Sequence, residues 1–291
     1  MNSKSIGIFD SGLGGLTVLA ELIHQLPEEN YIYVGDTARV PYGSRSKDTV
    51  IKYSLEIASF LIKQDIKLLI VACNTASAYA LDILKKHFDI PIIGVIEPGV
   101  EAFFNQSSQT SVAVIGTRAT IKSNAYTNLI HYKDPEISVF SKPCPLFVPL
   151  VEEGWINHPI TKEVIKEYLQ EIIDKNIVDL ILGCTHYPLL KQDILEIYPQ
   201  FNLIDSSKET AKLVKKLITE NKTQNYNKNK KNSITIYLTD ITDKVQFLEK
   251  LFLEKDGFII VKDHYAILKD NPEIKFPILL KELSLEQLVI V

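Results

Sequence analysis

The sequence predicts an α/β protein built of two pseudo-symmetric α/β domains with mainly parallel sheets and the active site in the cleft between them. The apolar run at residues 68–72 lacks the alternation of a half-exposed strand, so it indicates a strand covered on both faces by helices. The run at residues 177–183 has the same character. Each run leads directly into a cysteine, Cys73 or Cys184, and each cysteine is followed by polar residues.

A second pair of short strands supports the repeat. Residues 6–9 lead into Asp10, and residues 112–116 lead into Thr117. The polar residue precedes the cysteine by 63 positions in one half (73 − 10) and by 67 in the other (184 − 117). Because ligands of open α/β sheets bind outside the carboxyl ends of the strands, we expect each half to contribute one thiol to a shared cleft.

Chain length and breaks in the pattern set the domain boundaries. A chain of 291 residues with 46% hydrophobic content favours two domains over one. The sequence Glu97-Pro98-Gly99 interrupts the pattern, so we place the crossing into the second domain there. We predict a first domain at residues 1–97 and 207–291, with a C-terminal extension from about residue 256, and a second domain at residues 98–206.

Periodicity predicts the remaining elements. In the first half, a helix runs from the glycine-rich turn to about Leu26, and strands and helices alternate at residues 6–10, 31–36, 47–64, 68–72, 76–88 and 91–96. In the second half we predict strands at 112–116, 139–148, 177–183 and 201–205, with helices at 161–175 and 189–197. After a helix from 207, a polar loop at 221–233 and a tail with strands at 234–238 and 258–262 around a helix at 241–254 complete the chain.

Charge, hydropathy and cysteine count exclude several classes of protein. The net charge of −4 and the pI near 5.9 do not favour nucleic acid or an anionic membrane as a partner. Residues 1–5 show no signal-peptide pattern, and no apolar run approaches the roughly 18 residues that span a bilayer, so we expect a cytoplasmic protein. Three cysteines without close pairing predict reduced thiols, with no disulfide framework and no metal site.

Two loops of the first half offer polar groups to a ligand. The glycine-rich turn at residues 10–17 precedes a helix, but its spacing departs from the nucleotide-binding patterns. In the loop at residues 37–46, Tyr42 and Ser44 can hydrogen-bond a small polar molecule. Asp10 can receive an ammonium group or orient a nearby base, or it can simply cap a helix.

The cysteines admit a chemical and a structural interpretation. Cys73 lies at the predicted start of a helix, where the positive end of the dipole lowers a thiol pKa from roughly 8.5. The alternative is a buried cysteine that packs as a small hydrophobic side chain. Cys144 lies between two prolines, so we interpret it as structural. Glu152 precedes a turn, where we expect it to be solvated.

Four motifs together carry a specific resemblance. They are Asp10-Ser11-Gly12-Leu13-Gly14-Gly15-Leu16-Thr17, Pro41-Tyr42-Gly43, Cys73-Asn74-Thr75-Ala76 and Gly183-Cys184-Thr185-His186-Tyr187-Pro188. In this order they resemble the glutamate racemase family of the aspartate/glutamate racemase superfamily, over most of residues 6 to about 255. The resemblance implies a two-domain α/β fold, a cytoplasmic homodimer, and interconversion of L- and D-glutamate for bacterial cell-wall synthesis without a cofactor.

The same resemblance assigns roles to individual residues. It implies that Cys73 and Cys184 are the two acid/base groups, with Cys73 acting on the D-enantiomer and Cys184 on the L-enantiomer. It implies substrate contacts from Asp10, Ser11, Tyr42, Gly43, Asn74, Thr75, Thr185 and His186.

The residues fit this chemistry independently of the resemblance. Inversion through a planar carbanion needs one group to remove a proton from one face and another to deliver a proton to the opposite face. Two thiols from facing halves can do this if one is a thiolate and the other a thiol, and the sulfurs should then flank a cavity for one small molecule. His186 can tune or reprotonate the Cys184 thiol, or it can be a packed polar residue.

The sequence is also compatible with other functions. An aspartate racemase or a one-cysteine decarboxylase of the same superfamily would share the strands, although the paired thiols disfavour the decarboxylase. A cysteine-dependent hydrolase could use Cys184 with His186, but it leaves Cys73 without a task. A two-lobed binding protein is a further alternative. Finally, the apolar end of the chain, residues 288–291, predicts that the tail packs on the first half or across a dimer interface.

Overall fold

The computed structural model describes residues 4–221, 223, 232–242, 245–255, 259–262 and 265–288. The strands are β1 (Ile6–Asp10), β2 (Tyr31–Gly35), β3 (Leu68–Val71), β4 (Ile92–Gly94), β5 (Ser111–Gly116), β6 (Ser138–Pro143), β7 (Asp179–Gly183), β8 (Asn202–Ile204), β9 (Ile234–Leu238), β10 (Ile259–Lys262), β11 (Tyr265–Leu268) and β12 (Asn271–Glu282). The α-helices are α1 (Leu16–Gln25), α2 (Lys47–Lys63), α3 (Asn74–His87), α4 (Ile96–Gln106), α5 (Arg118–Lys122), α6 (Ala125–Lys133), α7 (Phe147–Glu152), α8 (Pro159–Asp174), α9 (Lys191–Ile197), α10 (Ser206–Glu220) and α11 (Val245–Leu253).

Two sheets organise the described residues, as the α/β prediction requires. One has the strand order β10-β11-β12-β9-β2-β1-β3-β4 and the other β6-β5-β7-β8. The order β2-β1-β3-β4 in the first sheet recurs as β6-β5-β7-β8 in the second, with parallel pairing throughout both sets. Antiparallel pairing is confined, in this part of the chain, to β10 with β11 and β11 with β12. The predicted pair of mainly parallel sheets is confirmed.

The distribution of strands supports the proposed domain division. Strands that precede residue 95 or follow residue 233 belong to the larger sheet, and those between them belong to the smaller sheet. Helices α4 and α10 carry the chain from one sheet to the other and pack against each other. We therefore keep residues 1–97 with 207–291, and residues 98–206, as the proposed domains.

The central strands bury both faces, as the unbroken apolar runs predict. Ile8 and Ile70 pack in one core cluster with α1, whereas Phe9 and Leu69 pack in another with α2 and α3. Neighbouring residues of a strand point to opposite faces, so each strand supplies two cores. A fully buried aliphatic side chain contributes about 1.5–3 kcal/mol relative to an exposed one. Helices must therefore cover both faces of the sheet. The polar residues that follow these strands then lie at the carboxyl ends, beyond the covered faces.

Two predictions about individual elements are wrong, whereas the proposed domain crossing near residue 97 is not affected. Pro98 and Gly99 do not break the pattern but lie in the first turn of α4, where a proline loses no intrahelical hydrogen bond. The strand predicted at residues 139–148 ends at Pro143, and Phe147 begins α7. Prolines on both sides of Cys144 remove the N–H donors that a longer strand would need.

The described part of the tail packs on the first half, which is one of the two positions that the sequence predicts for it. Strand β12 pairs in parallel with β9, beside β2, and Phe276 is fully buried in the larger core cluster. Leu283 and Leu288 join the cluster that contains α2. The terminal residues 289–291, and most of the predicted polar loop at 221–233, lie outside the described residues. Among the described residues, no helix has both the length and the apolar character needed to cross a membrane.

We expect the tail to stabilise the first half through Phe276. Phe276→Ala should lower the free energy of unfolding by about 3–5 kcal/mol, because it removes a fully buried ring that also contacts Tyr31. Leu279→Ala, on the same strand but 49% exposed, is the matched control and should change it by less than about 1 kcal/mol. Urea denaturation of both variants measures the difference. Equal effects would show that β12 does not contribute a core contact.

Candidate active site

Both thiols emerge where the strand order of a sheet reverses. Cys73 follows β3 and caps α3, with its sulfur accepting a hydrogen bond from the Ala76 N–H at 3.5 Å. Cys184 directly follows β7, the equivalent strand of the other sheet. In the first sheet β1 lies between β2 and β3. In the second sheet β5 lies between β6 and β7. The loops that leave the carboxyl ends of two such neighbouring strands run in opposite directions, so a crevice forms between these loops.

One small cavity brings most of the predicted site residues together. Its walls come from both halves: Ser11, Val40, Pro41, Tyr42, Gly43, Cys73, Asn74, Thr75, Thr117, Val148, Cys184, Thr185 and His186. Two predicted residues do not line it, since Asp10 is buried behind Ser11 and the exposed Ser44 donates to the Pro41 carbonyl. A larger cavity of about 620 Å³, which Glu21 and Lys208 help to line, contains no cysteine. We therefore place the candidate site at the smaller cavity.

Glycines let the two halves approach each other around this cavity. A Cβ atom on Gly43 would lie 2.5 Å from the Cβ of Thr117, and one on Gly14 would lie 2.3 Å from Thr185 Oγ1 and 2.5 Å from His186 Nδ1. Carbon atoms do not tolerate such distances, so only glycine fits at these positions. The glycine-rich turn at residues 10–17 thus serves the contact between the two halves.

Hydroxyl groups connect the halves on the Cys73 side. Thr75 Oγ1 lies 2.9 Å from Thr117 Oγ1 and 3.1 Å from Thr120 Oγ1, and these two are 3.0 Å apart. The Tyr126 hydroxyl of α6 donates to Asn74 Oδ1 at 2.7 Å. The two residues that follow Cys73 are therefore held by side chains of the second half. Tyr126 was not identified from the sequence, because no spacing relates it to Asn74.

Cys184 belongs to a chain of three polar side chains. His186 Nδ1 lies 3.9 Å from Cys184 Sγ, and His186 Nε2 lies 3.0 Å from Glu152 Oε1. The imidazole ring also packs against the Phe252 ring of α11, with 5.1 Å between the ring centroids. The expectation that Glu152 is merely solvated is wrong: its carboxylate orients the histidine beside the thiol. The two residues are 34 positions apart, so no local pattern could reveal this pair.

The chain of side chains keeps His186 protonated. Burial lowers the pKa of His186, but hydrogen bonds to Cys184 and Glu152, with their charges, outweigh burial and raise the pKa from 6.5 to about 10. At neutral pH the imidazolium therefore has a proton on both nitrogens. It can donate from Nε2 to Glu152 and from Nδ1 to the Cys184 sulfur.

The surroundings of Cys73 keep its thiol protonated. Burial and then the charge of Asp10 raise the pKa of Cys73 to about 12, and the N–H of Ala76 and the hydroxyl of Ser11 offset this only in part. The expectation that the helix start lowers this pKa is wrong, because the dipole effect is smaller than the loss of water and the neighbouring carboxylate. Cys73 is therefore a thiol at neutral pH.

Asp10 is itself an unusual carboxylate. Its Oδ2 accepts the Gly12 N–H at 2.9 Å, but within the described residues its buried Oδ1 has no hydrogen-bond partner. Burial raises the pKa of Asp10, and the positive charge of His186 and nearby N–H groups counteract that rise. It does not cap α1, whose N-cap is Gly15. Asp10 therefore keeps one oxygen without a hydrogen-bond partner, although its carboxylate does not line the cavity.

No metal-binding arrangement accompanies these groups in the part of the chain that the structure describes. There, no three or more His, Cys, Asp or Glu side chains come together in a way that could hold an ion. Cys73, Cys144 and Cys184 are all free thiols. Cys144 is fully buried and donates to the Lys142 carbonyl at 3.8 Å, which agrees with a structural role.

Comparison with known proteins places this geometry in one family. A sequence model of the Asp/Glu/Hydantoin racemase family matches residues 8–214. The glutamate racemase of Persephonella marina is 52% identical over 252 residues, which are 87% of this chain and 94% of that protein.

Solved structures agree. A glutamate racemase from Francisella tularensis, in complex with D-glutamate, is 41% identical with a TM-score of 0.85 and covers 98% of this chain and 99% of its own. Glutamate racemase isoform RacE1 from Bacillus anthracis is 32% identical with a TM-score of 0.84 over 98% of this chain and 99% of its own. Because these matches cover 98% of this chain, they include most of the C-terminal extension.

The reactivity of Cys73 tests its surroundings. Asp10→Asn removes the negative charge that disfavours the thiolate, so at pH 9 the rate of Cys73 alkylation by iodoacetamide should rise. Ser11→Ala removes a group that favours the thiolate, so the rate should fall. Peptide mass spectrometry against time measures both rates. Changes of the same sign in the two variants would contradict the assigned causes.

Proposed function

The chain belongs to the Asp/Glu/Hydantoin racemase family, and we infer that it interconverts L- and D-glutamate. We propose that it does so with two thiols that act as acid and base on opposite faces of the substrate. The observation that carries this proposal is the cavity that Cys73 and Cys184 line together, from equivalent positions of two sheets. A single-base enzyme, a hydrolase or a binding protein needs only one of these thiols, or neither.

The different neighbours of the two thiols set the proposed first half-reaction. His186 Nδ1 lies 3.9 Å from the Cys184 sulfur and can donate to it, whereas Cys73 holds its proton. For L-glutamate, the Cys184 sulfur removes the α-proton and leaves the electron pair on the α-carbon. The Cys73 thiol then delivers its proton to the opposite face, which gives D-glutamate, a Cys73 thiolate and a Cys184 thiol. D-glutamate reacts with this second form by the reverse steps.

Fixed polar groups stabilise the carbanion in this proposal. The electron pair delocalises into the α-carboxylate, so donors near that group lower the barrier without any cofactor. Asn74, Thr75 and Thr185 follow the two thiols and line the cavity, which makes them the proposed contacts. The unpaired Oδ1 of Asp10 is the proposed partner of the substrate ammonium group, and because Asp10 does not line the closed cavity, this contact requires the cavity walls to separate.

The remaining substrate contacts follow from the cavity walls. We propose that Ser11, Gly43 and His186 contact glutamate directly. Tyr42 contributes its ring and backbone, because its hydroxyl donates to Asp36 instead. The cavity of about 20 Å³ holds little more than one water molecule, so we propose that its walls separate when glutamate enters. By the family resemblance, we further propose a cytoplasmic homodimer that supplies D-glutamate for peptidoglycan.

Aspartate is the alternative substrate within the superfamily. The relatives that match most of this chain are glutamate racemases, which favours the longer substrate. Inversion assays with both amino acids, followed by circular dichroism without added cofactor, decide between them. A kcat/KM for aspartate equal to or above that for glutamate would overturn the choice of glutamate.

Exchange experiments test the role of each thiol. Each alanine variant should lose inversion in both directions by at least about 10² to 10⁴-fold, because the two directions share their transition states. Cys184→Ala should still exchange the α-proton of D-glutamate with deuterium, and Cys73→Ala that of L-glutamate, since each remaining thiol serves its own face. Cys144→Ala is the matched control and should keep both activities. Exchange of the opposite enantiomers would reverse the assignment, and near-normal inversion would make the thiol structural.

The pH dependence of the L-to-D direction tests the His186 pair. The pKa of His186 is raised, so its proton is present below about pH 10 and lost above it, and kcat/KM for L-glutamate should fall as the pH rises through that value. Glu152→Gln removes an interaction that raises this pKa, so the fall should occur at lower pH. Glu136→Gln, an exposed change in the same half, should leave the profile unmoved. An identical profile for Glu152→Gln would exclude a role for Glu152.

A further inference from the structure

The turn that carries Tyr42 and Gly43 is attached to one buried carboxylate behind the cavity wall. Asp36 follows β2 and is fully buried. The Tyr42 hydroxyl donates to Asp36 Oδ2. Arg39 Nε donates to Oδ2 at 2.7 Å and Oδ1 at 3.0 Å, and the Thr239 hydroxyl donates to Oδ1 at 3.0 Å. One side chain therefore connects three segments, and only Tyr42 among its partners lines the cavity.

Arg39 makes the buried charge of Asp36 tolerable. A buried carboxylate requires a paired charge and hydrogen bonds to each oxygen, and the guanidinium supplies both. Arg39 is fixed in turn by an ion pair with Glu56 of α2 and by the Tyr53 ring, whose centroid lies 3.9 Å from its central carbon. The Tyr53 ring also packs against the Tyr42 ring at 5.7 Å between centroids.

The segment after β9 forms hydrogen bonds to the loop that carries Tyr42 and Gly43. Thr239 accepts the Ala38 N–H on its hydroxyl at 2.9 Å and donates its own N–H to the Gly35 carbonyl at 3.2 Å. Thr37 exchanges hydrogen bonds with the backbone of Asp240 at 2.6 and 2.9 Å. The loop from Asp36 to Gly43 is thus held on one side by this network. On the other side, Gly43 abuts Thr117 with no room for a Cβ atom.

We propose that Asp36 is a positioning residue for glutamate binding, which acts through the Tyr42 hydroxyl to fix the cavity wall formed by Tyr42 and Gly43. It lines no part of the cavity and touches no reacting atom. The inference rests on the proposed function, since the wall matters only if the cavity binds glutamate. Tyr42 and Gly43 contact substrate without transferring protons, so a displaced wall weakens ground-state and transition-state binding alike.

Steady-state kinetics in both directions test the proposal. Tyr42→Phe and Asp36→Asn should each raise KM for L- and D-glutamate about tenfold while kcat changes less than about threefold, because each loses a hydrogen bond to a charged group. The double variant should raise KM no further than the larger single effect, since both changes break the same link. Thr239→Val, outside the cavity, should raise KM in the same direction.

Two control variants separate positioning from stability. Tyr31→Phe removes a buried hydroxyl that binds the Leu22 and Leu26 carbonyls, and Asp179→Asn changes a buried carboxylate that accepts from Ser107 and Asn202. Both should lower stability and leave KM unchanged. KM effects no larger than these controls, effects that multiply in the double variant, or a loss confined to kcat would each overturn the proposal. If Asp36→Asn does not fold, Tyr42→Phe and Thr239→Val decide alone.

The experiments also distinguish failure of this proposal from failure of the proposed function. A wild-type protein that does not invert glutamate contradicts the function itself. A wild-type protein that inverts glutamate, with Tyr42→Phe at wild-type KM, contradicts only the role of Asp36.

Discussion

The proposed mechanism places one constraint on the structure: two thiols from different sheets must reach the same small cavity, which both Cys73 and Cys184 line. A carbanion inverted by two groups needs them on opposite faces of one carbon, and one βα unit can present only one of them. The chain meets this requirement by repeating the strand order β2-β1-β3-β4 as β6-β5-β7-β8 and by placing a cysteine after the third strand of each set. The glycines at 14 and 43 allow the halves to approach, because any side chain there would hold them apart.

The two equivalent thiols differ through their neighbours. Cys73 has Asp10 beside it and little water, so it retains its proton, whereas Cys184 has an imidazolium that Glu152 holds in place. The proposed mechanism needs one sulfur as the base and the other as the acid, and unlike neighbours distinguish the two sulfurs. The sequence repeat thus supplies two similar positions, and the proposed acid and base roles rest on the unlike side chains around them.

Much of the framework can be predicted from the sequence because its signals are local. An unbroken apolar run marks a doubly covered strand, and the residues just after it, such as Cys73-Asn74-Thr75, must lie at the carboxyl end of the sheet. The structure brings these residues together, although their roles stay proposals. The pairing of Glu152 with His186 and the raised pKa of Cys73 could not be predicted, because both depend on packing between segments distant in sequence. The prediction that Pro98 interrupts the pattern fails because a proline breaks the interior of a helix but fits its first turn.

A crystal structure with bound glutamate tests the central claim most directly. The two-thiol account predicts the α-carbon between the Cys73 and Cys184 sulfurs, with one sulfur on each face and each about 3–3.5 Å from that carbon. Both sulfurs on the same face, or one of them out of reach of the α-carbon, would contradict it.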